Sequence, residues 1–195
     1  MEEIISRLKK EIDTMLDTGK QIVIAIDGNC TAGKTTLTSV LAKEYDCNVF
    51  HMDDFFLRPQ QRTAERYAQP GGNVDYERFQ EEVVLPLKTG KPFSYRPFSC
   101  KSFTLSDAVE ITPKQLNIVE GTYCQHPYFG DVYDLKLFLS VSPELQRERV
   151  FQRPQHVQGR FFTDWIPMEK LYFDFYQISA KADIRLDLTH RTYGA

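Results

Sequence analysis

Gln21-Ile22-Val23-Ile24-Ala25-Ile26-Asp27-Gly28-Asn29-Cys30-Thr31-Ala32-Gly33-Lys34-Thr35-Thr36-Leu37 decides how this chain folds. Residues 21–27 are apolar on both parities and rich in β-branched side chains, the pattern of a strand buried on both faces. The strand runs directly into Gly28-x-x-x-x-Gly33-Lys34-Thr35, a complete G-x-x-x-x-G-K-[ST] match. A strand before that loop and a helix after it are what phosphate binding requires. The glycines let the backbone N–H groups of Asn29, Cys30, Thr31 and Ala32 turn inward around phosphate oxygens. The start of the following helix, Lys34 to Thr36, adds the positive end of its dipole. Lys34 supplies a point charge for the outer phosphates, and the Thr35 hydroxyl is a magnesium ligand. The loop predicts a nucleoside triphosphate with magnesium without fixing the base; the expected cofactors are ATP and Mg2+.

Outward from the loop, strands and helices alternate. A helix over 2–17 carries Ile4, Ile5, Leu8, Ile12, Met15 and Leu16 at helical spacing. After the helix at 34–44 comes a short strand, Cys47 to His51. Residues 57–75 hold Pro59, Pro70, Gly71 and Gly72 and read as a loop with a broken helix. A helix follows over 74–87. Residues 90–112 alternate weakly, as a small hairpin would. Strands at 116–121 and 135–141 come next, then helices at 143–153 and 163–181 and a closing strand at 183–188. This order predicts an α/β fold: a doubly wound, mainly parallel sheet with helices on both faces and a small β-hairpin insert. One domain over 1–195 is expected.

The 195 residues are 42% hydrophobic and 26% charged, ordinary globular usage that excludes a disordered or collagenous chain. A net charge of −3 gives no basic field, so no nucleic-acid partner is expected. The start Met1-Glu2-Glu3 lacks the basic residues of a signal peptide, and no apolar run is long enough to span a membrane. Cys30, Cys47, Cys100 and Cys124 are scattered without metal-ligand spacing and read as free thiols of a cytoplasmic protein.

Two acids complete the expected site. In an open α/β sheet, ligands bind beyond the carboxyl ends of the strands. Asp53, two residues past the second strand, is placed to accept a proton from an attacking hydroxyl and to face magnesium. Its neighbour Asp54 reads as a helix cap. Glu120 ends a buried strand and is the second metal-facing acid, with Gly121 allowing close approach. The sequence has no guanine-reading N-K-x-D, and the chain leaves room for one further ligand, which favours a small-molecule kinase over a GTPase. An NTP-binding regulator that meets a partner through residues 57–112 is the other reading.

Taken in order, Gly28–Thr35, Asp53-x-Phe55-Phe56, Ile118-Val119-Glu120-Gly121 and Arg153…Gly159-Arg160 resemble the uridine kinase group of P-loop kinases. The resemblance spans about residues 20–188. It implies a P-loop NTPase kinase fold, with Lys34 and Asp53 catalytic and Thr35, Asp53 and Glu120 serving the metal. It also implies a lid over about 153–162 whose Arg153 and Arg160 hold the transferring phosphoryl. Gln158 stands where the family often has another arginine, and Arg147 or Arg149 is the candidate to compensate. The implied reaction is phosphorylation of a small-molecule hydroxyl, most simply the 5′-hydroxyl of a nucleoside.

The acceptor would bind the insert at about 57–112, against Phe56, Tyr67, Tyr95, Phe98 and Arg149. Cys100 and Gln69 replace the polar readers of the uridine pattern, while Asp75 matches an acid of it. Asp53-Asp54-Phe55-Phe56 is also similar to the D-D-F-F of nicotinamide riboside kinases, and pantothenate or sugar phosphate acceptors stay open. Self-association of the chain stays open as well.

Overall fold

A computed structural model describes residues 2–190; Met1 and 191–195 lie outside it. Five strands form one sheet in the order β2 (Cys47–His51), β7 (Leu116–Glu120), β1 (Ile22–Gly28), β8 (Leu135–Ser140), β9 (Ile184–Asp187). Each neighbouring pair is parallel. The expected α/β class therefore holds, with a main sheet that is wholly rather than mainly parallel.

The two-sided apolar pattern of β1 has a direct cause. Val23 and Ala25 face one core, while Ile22, Ile24 and Ile26 face the other. Helix α1 (Glu2–Leu16) covers the second face with Leu8 and Ile12, and α2 (Lys34–Glu44) covers it with Leu37 and Leu41. The opposite face is covered by Phe79, Val83, Val84 and Leu87 of a helix over 76–87 and by Tyr172 of a helix over 155–176. Ile24 is wholly buried in the central strand. Truncating such a residue to alanine costs about 2–5 kcal/mol, because the transfer energy and the cavity add.

Three elements differ from expectation. The helix over 76–87 contains a π turn at Gln80–Val84. The last helix begins at Gln155 rather than 163 and carries a second π turn at Phe161–Trp165, so most of the expected lid is helical. It stops at Gln177, whose φ of 58° breaks the ladder before a last turn at Ile178–Lys181. Gly159 lies inside this helix, where a Cβ would meet open space. Third, the insert is two nested antiparallel pairs rather than one: β3 (Phe93–Tyr95) with β6 (Val109–Ile111), and β4 (Phe98–Ser99) with β5 (Thr104–Leu105). Pro97 cannot donate to a ladder, and it separates the two rungs.

Candidate active site

The phosphate loop hangs between β1 and α2 at the carboxyl edge of the sheet. Gly28 has φ 139°, and a Cβ on it would lie 1.9 Å from the Leu139 carbonyl oxygen of β8. Only glycine fits there. Thr31 takes a left-handed φ of 63° without being glycine. Lys34 is buried, and its ammonium donates to the carbonyls of Gly28 (2.7 Å) and Asn29 (2.9 Å) and to the Thr122 hydroxyl (3.0 Å).

Strand register brings the acids to this loop. Glu120 pairs with Ile26 of β1 on one side and His51 of β2 on the other. The Thr35 hydroxyl donates to Glu120 Oε1 at 3.2 Å. His51 Nδ1 lies 2.6 Å from the same oxygen. That hydrogen bond raises the His51 pKa, against the opposing effect of burial. Asp53 follows in a 3-10 turn at Met52–Phe55 and stays accessible to solvent. The protein mass around the cleft nevertheless pushes its carboxyl pKa up; Lys34 opposes the shift and Glu120 reinforces it. Lys34, Thr35 and Glu120 thus meet at the loop, with Asp53 in the turn just past His51, the register partner of Glu120.

The donor set suits the expected cofactors. Loop amides and an ammonium match a triphosphate, and a hydroxyl beside carboxylates offers the hard oxygens magnesium prefers. Among the described residues no cluster of three or more His, Cys, Asp or Glu could hold a metal. Magnesium in phosphoryl-transfer sites uses only one or two carboxylates, the rest of its shell being phosphate and water.

Several residues that sequence reasoning passed over hold the loop from behind. Glu169, 2% exposed, accepts from the Cys30 amide (2.8 Å) and the Gln146 side chain (2.7 Å). Burial raises its pKa. Asp27 is fully buried and accepts from the Gly28 and Gln125 amides (2.7 and 3.0 Å) and the Tyr172 hydroxyl (2.9 Å). Desolvation lifts it to about 6, with Lys34 pulling the other way. A signal for Glu169 exists: Trp165, Glu169, Tyr172 and Tyr176 share one helix face, and a lone acid on an apolar face needs a buried partner. His51 offers only its closeness to Asp53.

The arginines separate. Arg149 Nη1 donates to the Thr31 carbonyl at 2.8 Å, so it reaches the phosphate loop. Arg147 instead lies over the rings of Phe151 and Phe162. Arg160 is exposed, pairs with Asp164 at 3.3 Å and sits over Trp165. Arg153 is exposed, and its carbonyl accepts from the Gln158 side chain. Neither lid arginine contacts the loop.

On the acceptor side, Tyr95 is 5% exposed, stacked on Phe55 and tilted against Phe50, with its hydroxyl donating to Asp54 at 3.2 Å. No face of its ring is open to a base. Phe98 is buried as well, whereas Phe56 and Tyr67 are half-buried. Asp54 does not cap a helix; it accepts from Tyr95 instead. Asp75 is the cap, accepting from the Arg78 amide at 3.3 Å, and it is buried between Arg58 and Arg78. Gln69 accepts from the Tyr76 hydroxyl. A separate cavity of about 270 Å³, lined in part by His126, Tyr133, Lys136 and Lys181, contains no phosphate-loop residue. Without loop amides it lacks the donors that the expected chemistry needs.

No family model matches the sequence, and no curated protein does. Solved structures do. A possible uridine kinase from Bacillus stearothermophilus superposes with TM-score 0.65 at 21% identity, covering 93% of this chain and 100% of that one. A candidate fructose transport system kinase from Silicibacter sp. TM1040 gives 0.65 at 21% identity, over 85% of this chain and 89% of the other. The protein YGR205w gives 0.58 at 15% identity, over 95% and 93%. The chain therefore shares the α/β fold of these three structures.

Proposed function

We propose that this protein is an ATP-dependent small-molecule kinase. The observation that supports the reading is the meeting of Thr35 and Glu120 beside Lys34 on one phosphate loop, with Asp53 in the adjoining turn, at the carboxyl edge of a parallel sheet. The amides of Thr31 and of Lys34 to Thr36 and the Lys34 ammonium hold the outer phosphates, while the expected amides of Asn29, Cys30 and Ala32 donate to Leu139, Glu169 and Asn29 instead. Thr35, Glu120 and Asp53 would hold magnesium, which neutralises charge developing on the phosphoryl oxygens. His51 orients the Glu120 carboxylate, and Glu169 and Asp27 keep the loop rigid.

The acceptor hydroxyl oxygen bonds to the γ-phosphorus as the bond to ADP breaks, and its proton passes to Asp53. A raised carboxyl pKa suits that task, since a better base takes the proton more readily. Arg149 supports the loop at Thr31. Arg153 and Arg160 act as the lid that covers the phosphoryl, where donors in a dry site stabilise spread charge.

The acceptor binds between the insert at about 57–112 and the end of β2. A nucleoside 5′-hydroxyl is the acceptor that the uridine kinase resemblance implies, and Phe56 and Tyr67 are the aromatic residues still placed to meet a base. Among the described residues no helix is long and apolar enough to cross a membrane. All four cysteines are free thiols, which supports a reducing cytoplasm as its location.

The test is ADP release from ATP and Mg2+ with a panel of nucleosides, pantothenate, hydroxy acids and sugar phosphates. Acceptor-dependent release that disappears in Lys34→Ala supports the kinase. ATP binding without acceptor-dependent release from any panel member would favour the regulator.

A further inference from the structure

Packed on the hairpin of the insert is a cation, Arg62, that no acid among the described residues pairs. Arg62 donates from Nε to the Leu57 carbonyl at 2.9 Å. Its guanidinium lies 5.6 Å from the Phe98 ring centroid and 5.2 Å from that of Phe103. Among the described residues its terminal nitrogens have no hydrogen-bond partner, and no carboxylate lies within ion-pair distance. The surrounding arginines differ. Arg58 faces Asp75, Arg66 grips Glu77, Arg78 joins Asp75 and Glu82, and Arg96 donates to the carbonyls of Leu105 and Ser106.

Backbone strain supports this placement. Phe103 has φ 58°, a left-handed conformation that a phenylalanine rarely adopts, and the residue is 52% exposed. Such strain persists where surrounding structure fixes it, and it concentrates at ligand clamps. Here it lays an aromatic ring against Arg62, so the guanidinium is pre-oriented by two rings instead of by an acid. Arg62 also stands in the right cleft. The Phe98 ring under its guanidinium belongs to β4, which packs against the Met52–Phe55 turn that carries Asp53, and the exposed Cys100 thiol follows on the same hairpin.

An oriented guanidinium with free terminal N–H groups matches a carboxylate or phosphate in a bidentate fashion. Without such a cation, an anion would be repelled by Asp53 and Asp54. A neutral nucleoside gives Arg62 no charge partner, and the ring of Tyr95 is already covered. We propose that the acceptor carries an anionic group, a carboxylate or a phosphate ester, which Arg62 binds at the hairpin tip while the acceptor hydroxyl meets Asp53. This rests on the kinase reading and narrows its acceptor.

The experiment compares matched pairs in the ADP-release assay: glycerol with glycerate, ribose with ribose 5-phosphate, and uridine and cytidine beside them. Glycerate against ribose 5-phosphate separates carboxylate from phosphate recognition. The anionic member should win its pair. Arg62→Gln should raise its KM about 30-fold, as expected for losing a charged hydrogen-bonded contact. The rise should be much smaller for the neutral member, and Arg62→Lys should recover part of it. Thermal melting confirms that both variants fold. Efficient use of uridine in preference to every anion, or an Arg62→Gln KM within about threefold of wild type, overturns the proposal.

If no panel member is phosphorylated, iodoacetamide labelling of Cys100, located by peptide mass spectrometry, decides. Inorganic phosphate or malonate should slow it in wild type and not in Arg62→Gln, with glycerol inert in both. No protection by either anion overturns the proposal. The kinase reading fails separately, if ATP does not bind and Lys34→Ala matches wild type.

Discussion

β1 and β7, which carry the phosphate loop and Glu120, are buried at every residue, whereas the acceptor side hangs from antiparallel strands of two or three residues. On the phosphate side, position follows from the backbone. Register sets Glu120 beside Ile26 and His51, and any strand of that pattern would do the same. On the acceptor side, position follows from side chains: Arg78 donates to the carbonyls of Asp54 and Arg96, and Arg66 to those of Gly72 and Val74. A backbone-built half tolerates sequence change away from its glycines. A side-chain-built half can be re-specified by one substitution, which suits the part of a kinase that reads its acceptor.

The sharpest way to break this comparison lies at the seam between the halves. Asp53→Asn keeps the shape and removes the proposed base, so turnover should fall by about 10²–10⁴-fold, the usual worth of general base catalysis. Asp54→Asn should leave turnover nearly intact, because Asp54 serves the insert through Tyr95. Steady-state kinetics on both variants checks this. Equal effects would mean that the acceptor side, not the phosphate side, owns this acidic pair.

Lys34→Ala tests the phosphate side alone. Phosphoryl transfer should drop by at least about 100-fold, or about 3 kcal/mol of transition-state stabilisation. The fold should persist, since among the described residues the ammonium's hydrogen bonds go to loop carbonyls and Thr122. Activity within threefold of wild type would remove the phosphate-loop reading.

Much of the phosphate side was legible in the sequence because its signals are local. The strand is apolar on both parities, the loop has a fixed spacing, and the helix starts at Lys34. Asp27 and His51 were not legible in that way, because their partners lie far along the chain: Asp27 meets Gln125 and Tyr172, and His51 meets Glu120. The acceptor side was least legible. Tyr95 and Phe98 have the residue types of a base-binding wall, but burial alone decides whether an aromatic ring faces a ligand or the core, and burial is a tertiary property.

Buried titrating groups on the two sides should also oppose each other. Asp27 supports the phosphate loop and is raised from 3.8 to about 6 by desolvation. Its folded form holds its proton more tightly, so its effect favours folding at low pH and is lost as pH rises from about 4 to 6. His126 stacks on Tyr76 of the helix over 76–87 and is lowered from 6.5 to about 4, again chiefly by burial. Its effect favours folding above pH 6.5 and is lost as pH falls toward 4. Each shift corresponds to about 3 kcal/mol at 1.36 kcal/mol per pKa unit. The two should largely cancel in wild type. His126→Gln should gain stability on acidification relative to wild type, and Asp27→Asn should lose it. Urea unfolding between pH 4 and 7 reads both slopes, and parallel slopes in the two variants would show that these groups do not carry the shifts.

The smallest expected effect asks whether Tyr95 belongs to the core or to the acceptor. Its ring packs on Phe55 and Phe50, and its hydroxyl is tied to Asp54, a partner that raises the phenol pKa along with burial. Tyr95→Phe keeps the ring and removes one donor. The Asp54 carboxylate is half-buried, so water can replace part of the lost bond, and stability should fall by only about 1 kcal/mol. The KM for the acceptor should stay within about threefold, because no part of the ring faces the cleft. A residue that reads a base behaves differently: its lost hydroxyl leaves the ligand unpaired, so KM rises while stability holds. Measuring both numbers on one variant therefore assigns Tyr95. A fall in stability at constant KM places it in the framework of the acceptor side and leaves recognition to the hairpin tip, while a rise in KM at constant stability would return it to the binding wall.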